Sequence, residues 1–295
     1  MPRILPAADR LAHVAMNVRG FESRYVTTGG VRLHVYDGRG RGDLPTVVFI
    51  HGLGAAGVSF ARVVARLLPH TRRVIVPELP GHGRSGELTA SRLTPDILID
   101  TMTTALETLL EEPAILCGNS LGGAVAFNFA LRRPDRVRAL VLVSPAGAPV
   151  PEEEFRELLD AFAVTDRRTA RRLVERIYHR PPWFLALVAH EFPDVLKRRA
   201  VRDLLETATV EHAAKEEDLG TLRMPVLLLW GRSDRLLPAQ ALAFFRRNLP
   251  PHAVIEEPEG LGHSPQLEHP SRLAERILRF ARDVVATKQD APPPA

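Results

Sequence analysis

The chain has 295 residues, of which 45% are hydrophobic and 25% are charged, a composition that excludes a wholly disordered protein and predicts one large folded domain with an insertion. Its single cysteine, Cys117, excludes an internal disulfide and a paired-cysteine redox site. The net charge of +4 comes from 39 basic and 35 acidic residues that are interleaved along the chain, so we expect no nucleic-acid partner.

Residues 1–21 are predicted to form an N-terminal arm in front of the folded core. Charges are scattered through this arm, and no apolar segment is followed by a small-residue cleavage site, so the arm is unlike a secretory signal. No later stretch reaches the ~18 uninterrupted apolar residues that are typical of a membrane-crossing helix. The sequence therefore predicts a protein without a membrane span, located in the cytoplasm.

Short apolar strands then alternate with longer helical patterns. The first two predicted strands, residues 23–27 and 31–36, flank a Gly29-Gly30 turn and indicate an antiparallel hairpin. The later strands are predicted at residues 46–50, 73–76, 114–117, 138–143, 225–230 and 253–256. This alternation is typical of an α/β fold, so we expect an eight-stranded, mostly parallel sheet with helices on both faces. The core spans residues 22–145 and 223–287, and the Pro-rich tail 288–295 is predicted to be disordered.

Residues 146–222 interrupt this alternation. Strand signals are missing there, and helical patterns take their place over residues 152–161, 167–178, 183–190 and 196–209. The apolar faces of these helices need a surface to cover, while their charges of both signs indicate solvated outer faces. The segment is therefore predicted to be a helical insertion that packs on the core.

The sequence Gly118-Asn119-Ser120-Leu121-Gly122 has the form G-x-S-x-G and lies between a predicted strand and a predicted helix. A sharp strand-to-helix turn strains the backbone of the serine, and only small residues on either side let the two backbones pass each other. Ser120 then lies at the carboxyl edge of the sheet and at the positive end of a helix. The pattern predicts that Ser120 is a catalytic nucleophile.

A serine hydroxyl is a weak nucleophile at neutral pH, and it needs a histidine base that is oriented by an acid. Asp234 lies in the loop after the apolar strand that ends at Trp230, where catalytic groups of open α/β sheets gather. The strand before that one is followed by Ser144 and no carboxylate. His263 lies in the loop after the last strand, downstream of Asp234. The predicted catalytic residues are therefore Ser120, Asp234 and His263.

Two backbone amides are predicted to bind a developing oxyanion. The turn His51-Gly52-Leu53-Gly54 follows the third strand and is rich enough in glycine to point amide groups inward. The second donor is the residue after the nucleophile. We therefore expect the amides of Leu53 and Leu121 to form the oxyanion hole, and His51 to have a structural role through hydrogen bonds.

These motifs together resemble those of the α/β-hydrolase superfamily over residues 22–285. They occur in family order as HGLG, PELPGHGRSG, GNSLGG, WGRSDRLLP and GHSPQLEHP. Haloalkane dehalogenases and epoxide hydrolases of this superfamily have Asp at the position of Ser120, so the serine argues against both. The chain is similar instead to the carboxylesterases that use a serine nucleophile. The resemblance implies that residues 146–222 are a helical cap that covers the active site and shapes its pocket.

We therefore expect a carboxylic ester hydrolase that acts on small to medium acyl or aryl esters through an acyl-enzyme intermediate, with neither a metal nor an organic cofactor. A carbon–carbon bond hydrolase for ring-fission dienoates is an alternative, because such enzymes share the GNS-x-GG form. They usually have Trp after the catalytic His and a GPGA loop, where this chain has Ser264 and Gly54-Ala55-Ala56. A ligand receptor on the same fold, and an esterase for acyl groups carried by a partner protein, are further alternatives.

Overall fold

One sheet of eight strands runs through the molecule. The computed structural model describes residues 4–182 and 185–289. The strands are β1 (Phe21–Thr28), β2 (Val31–Arg39), β3 (Val47–Ile50), β4 (Arg73–Pro77), β5 (Ala114–Ser120), β6 (Val137–Pro145), β7 (Val226–Leu229) and β8 (Val254–Glu256). Their order is β1-β2-β4-β3-β5-β6-β7-β8. Only the β1–β2 and β2–β4 pairs are antiparallel, so the eight-stranded, mostly parallel sheet predicted from the sequence is confirmed.

Helices cover both faces of this sheet. The α-helices of the described residues are α1 (Ile4–Val18), α2 (Ala61–Leu67), α3 (Pro95–Leu109), α4 (Leu121–Arg132), α5 (Glu152–Ala161), α6 (Arg167–Ile177), α7 (Leu185–Val188), α8 (Phe192–Leu196), α9 (Arg199–Thr207), α10 (Glu216–Leu219), α11 (Ala239–Asn248), α12 (Pro265–Glu268) and α13 (Pro270–Gln289). Apolar residues of α3, α4, α10 and α11 pack on one face, and those of α1, α2 and α13 pack on the other.

Strands β3 and β7 are apolar throughout because each face of the sheet is covered. In β5, Leu116 belongs to the core on the α4 side, whereas its neighbours Ile115 and Cys117 belong to the core on the α13 side. This alternation follows from the two-residue period of a strand. β5 extends to Ser120, beyond the predicted end at residue 117, because its last residues still pair with β6 as far as Pro145.

Residues 146–222 form helices α5 to α10, with no strand among those that the structure describes. They build a small apolar core that includes Val164, Leu173 and Val201. Leu236 from the loop after β7 is part of this cluster, and Leu53 from the loop after β3 packs against it. The inserted helices therefore lie against loops at the carboxyl ends of the strands. The predicted helix at residues 183–190 begins outside the described residues, and its described part contains α7.

Residues 4–18 of the predicted arm form α1. The carboxylate of Glu191, in the insertion, accepts hydrogen bonds from the amides of Ile4 at 2.7 Å and Leu5 at 3.0 Å. At the other end of the helix, Met16 is fully buried in the core beside α2. α1 therefore contacts both the insertion and the core. The sequence predicted only an arm here and no helix.

The last described element is α13, which includes residues 288 and 289 of the tail that was predicted to be disordered; residues 290–295 lie outside the described residues. Within the described ranges, no helix has both the length and the apolar character that crossing a membrane requires.

Candidate active site

Ser120 occupies a strained turn between β5 and α4. Its φ is 55° and its ψ is −123°, a conformation that costs a non-glycine residue about 1–3 kcal/mol. The flanking glycines are required by close contacts between backbones. A Cβ atom on Gly118 would lie 2.1 Å from the carbonyl oxygen of Gly122, and one on Gly122 would lie 2.1 Å from the carbonyl oxygen of Ile50. The turn that the sequence predicts is therefore present.

The turn that contains Leu53 lies directly against Ser120. A Cβ atom on Gly52 would lie 3.1 Å from the Ser120 Cβ atom and 3.6 Å from its Oγ atom. The Leu53 amide has no hydrogen-bond acceptor among the described loop and turn residues. Leu121 is the first residue of α4, where an amide has no acceptor within the helix. Both predicted oxyanion donors thus belong to segments that adjoin Ser120.

Asp234 and His263 form a buried pair. The His263 Nδ1–H donates to the Asp234 Oδ2 atom at 2.8 Å, and the two side chains are 4% and 0% exposed. The other carboxylate oxygen accepts hydrogen bonds from the amides of Leu236 at 2.9 Å and Leu237 at 3.2 Å. Burial alone would raise the pKa of Asp234, but the adjacent His263 and these hydrogen bonds hold that pKa below its usual value. The carboxylate therefore stays ionised and orients the imidazole ring.

Asn119 connects the turn of Ser120 to the loop of His263. Its Nδ2 group donates to the carbonyl oxygens of Val143 at 3.0 Å and His263 at 2.9 Å. Its Oδ1 atom accepts from Gln266 Nε2 at 2.9 Å. The residue before Ser120 thus fixes the backbone of His263. Sequence reasoning missed Gln266 and gave Asn119 no positioning role, although an amide in a buried apolar strand is a signal, because it must find partners.

Replacing Asn119 by alanine is expected to lower kcat by about 10- to 100-fold, the usual cost of losing an outer positioning contact. The substitution leaves the carbonyl of His263 without its donor, so the imidazole loses its fixed position relative to Ser120. Steady-state kinetics on a soluble ester would measure the effect, with a smaller change expected in KM. Asn128→Ala is the matched control, because Asn128 bonds only to Ala124 within α4. Equal kcat values for the two variants would contradict the positioning role.

The insertion bonds to the loops of Asp234 and His263 through residues 176–179, which we call the α6 end segment. The carbonyl of Ile177 accepts from the amide of His263 at 2.7 Å, and the carbonyl of Arg176 accepts from the amide of Arg235 at 3.1 Å. The carboxylate of Glu268 joins the same elements, since it accepts from the amides of Gly262 and His179, each at 2.7 Å. These contacts were not foreseen from the sequence, because backbone carbonyls leave no residue signature.

His51 holds the Leu53 turn. Its Nε2 atom accepts from the amide of Leu79 at 3.1 Å, and its Nδ1–H donates to the carbonyl of Gly52 at 2.9 Å. The ring of His82 lies 5.5 Å away between centroids, with its Nδ1–H bonded to the carbonyl of Pro80 at 2.9 Å. Both histidines are fully buried, and burial lowers the pKa of His51 and lowers the pKa of His82 to about 3. Both rings are therefore neutral in the folded protein.

These buried histidines predict a loss of stability in mild acid. The pKa of His82 lies below its unfolded value of about 6.5, so the unfolded state binds more protons between those values and stability falls as the pH falls. From pH 6 to pH 5, the free energy of unfolding of His82→Asn is therefore expected to fall less steeply than that of the wild type. The two slopes should differ by about 1 kcal/mol per pH unit. Urea unfolding would measure both slopes. Above pH 7.5 the difference between the two proteins should be constant, and identical slopes at all pH values would contradict the prediction.

The structure thus brings Asp234 and His263 into contact and places Ser120 next to Asn119, which binds the histidine backbone. Cys117 is buried, and burial raises the pKa of its thiol, so it is not activated as a nucleophile. Within the described ranges, no group of three or more His, Cys, Asp or Glu side chains could hold a metal ion.

Comparison with known proteins found a family model and similar chains. A family model described as the alpha/beta hydrolase fold matches residues 45–270. A 2-hydroxymuconate semialdehyde hydrolase from Pseudomonas sp. (strain CF600) is 31% identical over 89% of this chain and 95% of its own length. A pimeloyl-[acyl-carrier protein] methyl ester esterase from Yersinia enterocolitica is 29% identical over 82% of this chain and 95% of its own length. The solved structure of a membrane phospholipase A, a bacterial virulence factor, is similar in fold, with a TM-score of 0.80 and 24% identity over 97% of this chain and 93% of that one.

Proposed function

Since the chain belongs to the α/β-hydrolase fold family, we propose that it is a serine hydrolase that cleaves carboxylic esters of small to medium acyl or aryl groups. The observation that carries the proposal is the buried Asp234–His263 pair, bonded through Asn119 to the strained turn of Ser120. A strained serine and an acid-oriented imidazole are the groups that acyl transfer needs. The esterase among the relatives supports the ester as substrate.

In the proposed reaction, His263 accepts the hydroxyl proton of Ser120 while the serine oxygen attacks the ester carbonyl. The amides of Leu53 and Leu121 stabilise the tetrahedral oxyanion. The intermediate collapses, His263 protonates the departing alcohol, and the acyl group remains on the serine. Water then attacks the acyl-enzyme with His263 again as the base, which releases the acid. Asp234 holds the Nδ1–H tautomer throughout and stabilises the imidazolium.

Residues 146–222 have the role of a cap in this proposal, over a core of residues 22–145 and 223–287. The packing of Leu53 against the inserted helices supports it, because one of the proposed oxyanion donors then lies beneath them. Gly54 also lies close to the insertion, since a Cβ atom built on it would be 3.5 Å from Leu196. The proposal also includes a cytoplasmic location and a reaction without a cofactor.

A second candidate is hydrolysis of a carbon–carbon bond in a ring-fission dienoate. The 2-hydroxymuconate semialdehyde hydrolase among the relatives favours it, as does Asn119 in the GNSLGG sequence. Ser264 after the catalytic histidine and Gly54-Ala55-Ala56 in the oxyanion loop favour the ester reaction instead.

Chromogenic esters from short to long acyl chains, assayed beside a ring-fission dienoate, would distinguish the two reactions. We expect turnover of the esters, with the chain-length optimum reporting the size of the pocket. An organophosphate reagent should block this turnover, and mass spectrometry should find the phosphoryl group on Ser120. Turnover of the dienoate with inert esters would establish the second candidate. No turnover of either substrate, together with no adduct on Ser120, would overturn both.

A further inference from the structure

The outward face of α1 carries an exposed apolar stripe. Ile4, Leu11, Val14 and Val18 are 45%, 72%, 55% and 81% exposed, and they are the large hydrophobic residues of this helix that face solvent. Their spacing of seven, three and four residues aligns them on one side of an α-helix. The helix has 15 residues, so the stripe extends over about 22 Å. Contiguous exposed apolar surface of this kind marks an interaction site.

The opposite face of α1 is already bound to the protein. Met16 is buried in the core, and the His13 Nδ1 atom lies 2.9 Å from the hydroxyl of Tyr36. Leu5 packs against the apolar cluster of the insertion that includes Tyr178 and Val188. Because Glu191 also bonds to the first turn, the helix is held at both ends. The stripe is therefore a second apolar face, presented to solvent on a fixed helix.

The exposed charged side chains on α1, directly after it and on α2 are cationic. Arg10 and Arg19 are exposed on and next to α1, and Arg62 and Arg66 are exposed on α2, which packs against α1. The two helices contain one carboxylate, Asp9, which is half-buried on the side of the core. An apolar stripe flanked by arginines complements a layer whose interior is apolar and whose outer groups are anionic.

A bilayer surface fits these properties better than a second copy of the chain. Four large side chains on one short helix offer far less than the roughly 800 Å² per partner of a standard stable protein interface. An amphipathic helix lying in the bilayer surface needs only its apolar face buried about 5–10 Å deep and arginines near the headgroups. We infer that α1 docks this protein on the surface of a bilayer that contains anionic lipid, with Leu11, Val14 and Val18 inserted between the headgroups.

Vesicle sedimentation with the full chain tests this inference without use of catalytic activity. The wild-type protein should bind vesicles of phosphatidylglycerol and phosphatidylcholine more tightly than vesicles of phosphatidylcholine alone. The triple variant Leu11→Ser, Val14→Ser, Val18→Ser should bind the mixed vesicles at least tenfold more weakly. Arg10→Gln with Arg19→Gln should remove most of the preference for the anionic lipid. The matched control is Val210→Ser with Val254→Ser, which removes two exposed valines elsewhere and should bind as the wild type does.

A labelled variant makes the test independent of how the serine substitutions affect folding. Since Cys117 is buried, a thiol-reactive, environment-sensitive fluorophore on Leu11→Cys reports the stripe alone. Its emission should shift to the blue when mixed vesicles are added, whereas the same fluorophore on Val210→Cys should not shift.

No binding of the wild type to either kind of vesicle would overturn the inference, as would equal binding of the wild type and the triple variant. Light scattering tests the alternative occupant. A wild-type dimer that becomes a monomer in the triple variant, together with no vesicle binding, would assign the stripe to self-association.

Discussion

Ser120→Ala is expected to reduce kcat for ester hydrolysis by about a millionfold, because no other group in the proposed site can form the acyl-enzyme. The remaining activity comes from substrate binding and from the backbone amides of the proposed oxyanion hole. KM should change much less, since the hydroxyl contributes little to binding before it attacks. Because alanine carries a Cβ atom as serine does, the substitution does not change the strain at φ 55°, and the backbone of the turn should be unaffected.

Kinetics with the most reactive ester of the panel would measure this loss, with a purification blank to exclude contaminating esterase. Ser144→Ala is the matched control. Ser144 is buried at the end of β6, also has positive φ at 41°, and its hydroxyl has no hydrogen-bond partner in the described parts of the chain. Its loss should change kcat by only a few-fold. If Ser120→Ala kept more than one-hundredth of the wild-type activity, Ser120 would not be the nucleophile.

Gly122→Ala is expected to destabilise the protein by about 3 kcal/mol or more, at the upper end of the cost of overpacking a core. The new Cβ atom would lie 2.1 Å from the carbonyl oxygen and 2.5 Å from the carbonyl carbon of Ile50, and 2.6 Å from the carbonyl oxygen of His51. All three are backbone atoms next to the central strand β3, so no side chain can rotate to make room. The clash must instead separate α4 from β3, which would also move Ser120.

Urea unfolding would measure this effect, and Gly220→Ala is the control. Gly220 directly follows α10, and its φ is −64°. A Cβ atom built on it would lie 3.7 Å from the carbonyl oxygen of Asn248. Alanine at that position should change stability by no more than about 0.5 kcal/mol. Similar stabilities for the two variants would show that α4 and β3 can separate at little cost, contrary to the close packing of this turn.

The parts of the fold that sequence predicted well are those in which local chemistry determines the structure. β3 and the first four residues of β5 are apolar, and the glycines around Ser120 indicate a close turn before any tertiary contact is known. Contacts between distant segments were less accessible. Asn119 and His263 are 144 residues apart, and their bond joins a side chain to a carbonyl that every residue possesses. The helix α1 was not predicted either, and the contacts that hold it, from Glu191 to its first turn and from Met16 to the core, join segments that are far apart in the sequence.

The α6 end segment has a practical consequence for engineering of substrate preference. Exchanging residues 146–222 for the corresponding helices of a relative would change the backbone path at Arg176 and Ile177, whose carbonyls bond to the amides of Arg235 and His263. In the proposed function, such a chimera would change the pocket under the cap and the spacing of Asp234 and His263 together, so its turnover would fall for every substrate alike. Grafts that keep residues 176–179 and replace only the helices on either side would alter selectivity separately from rate.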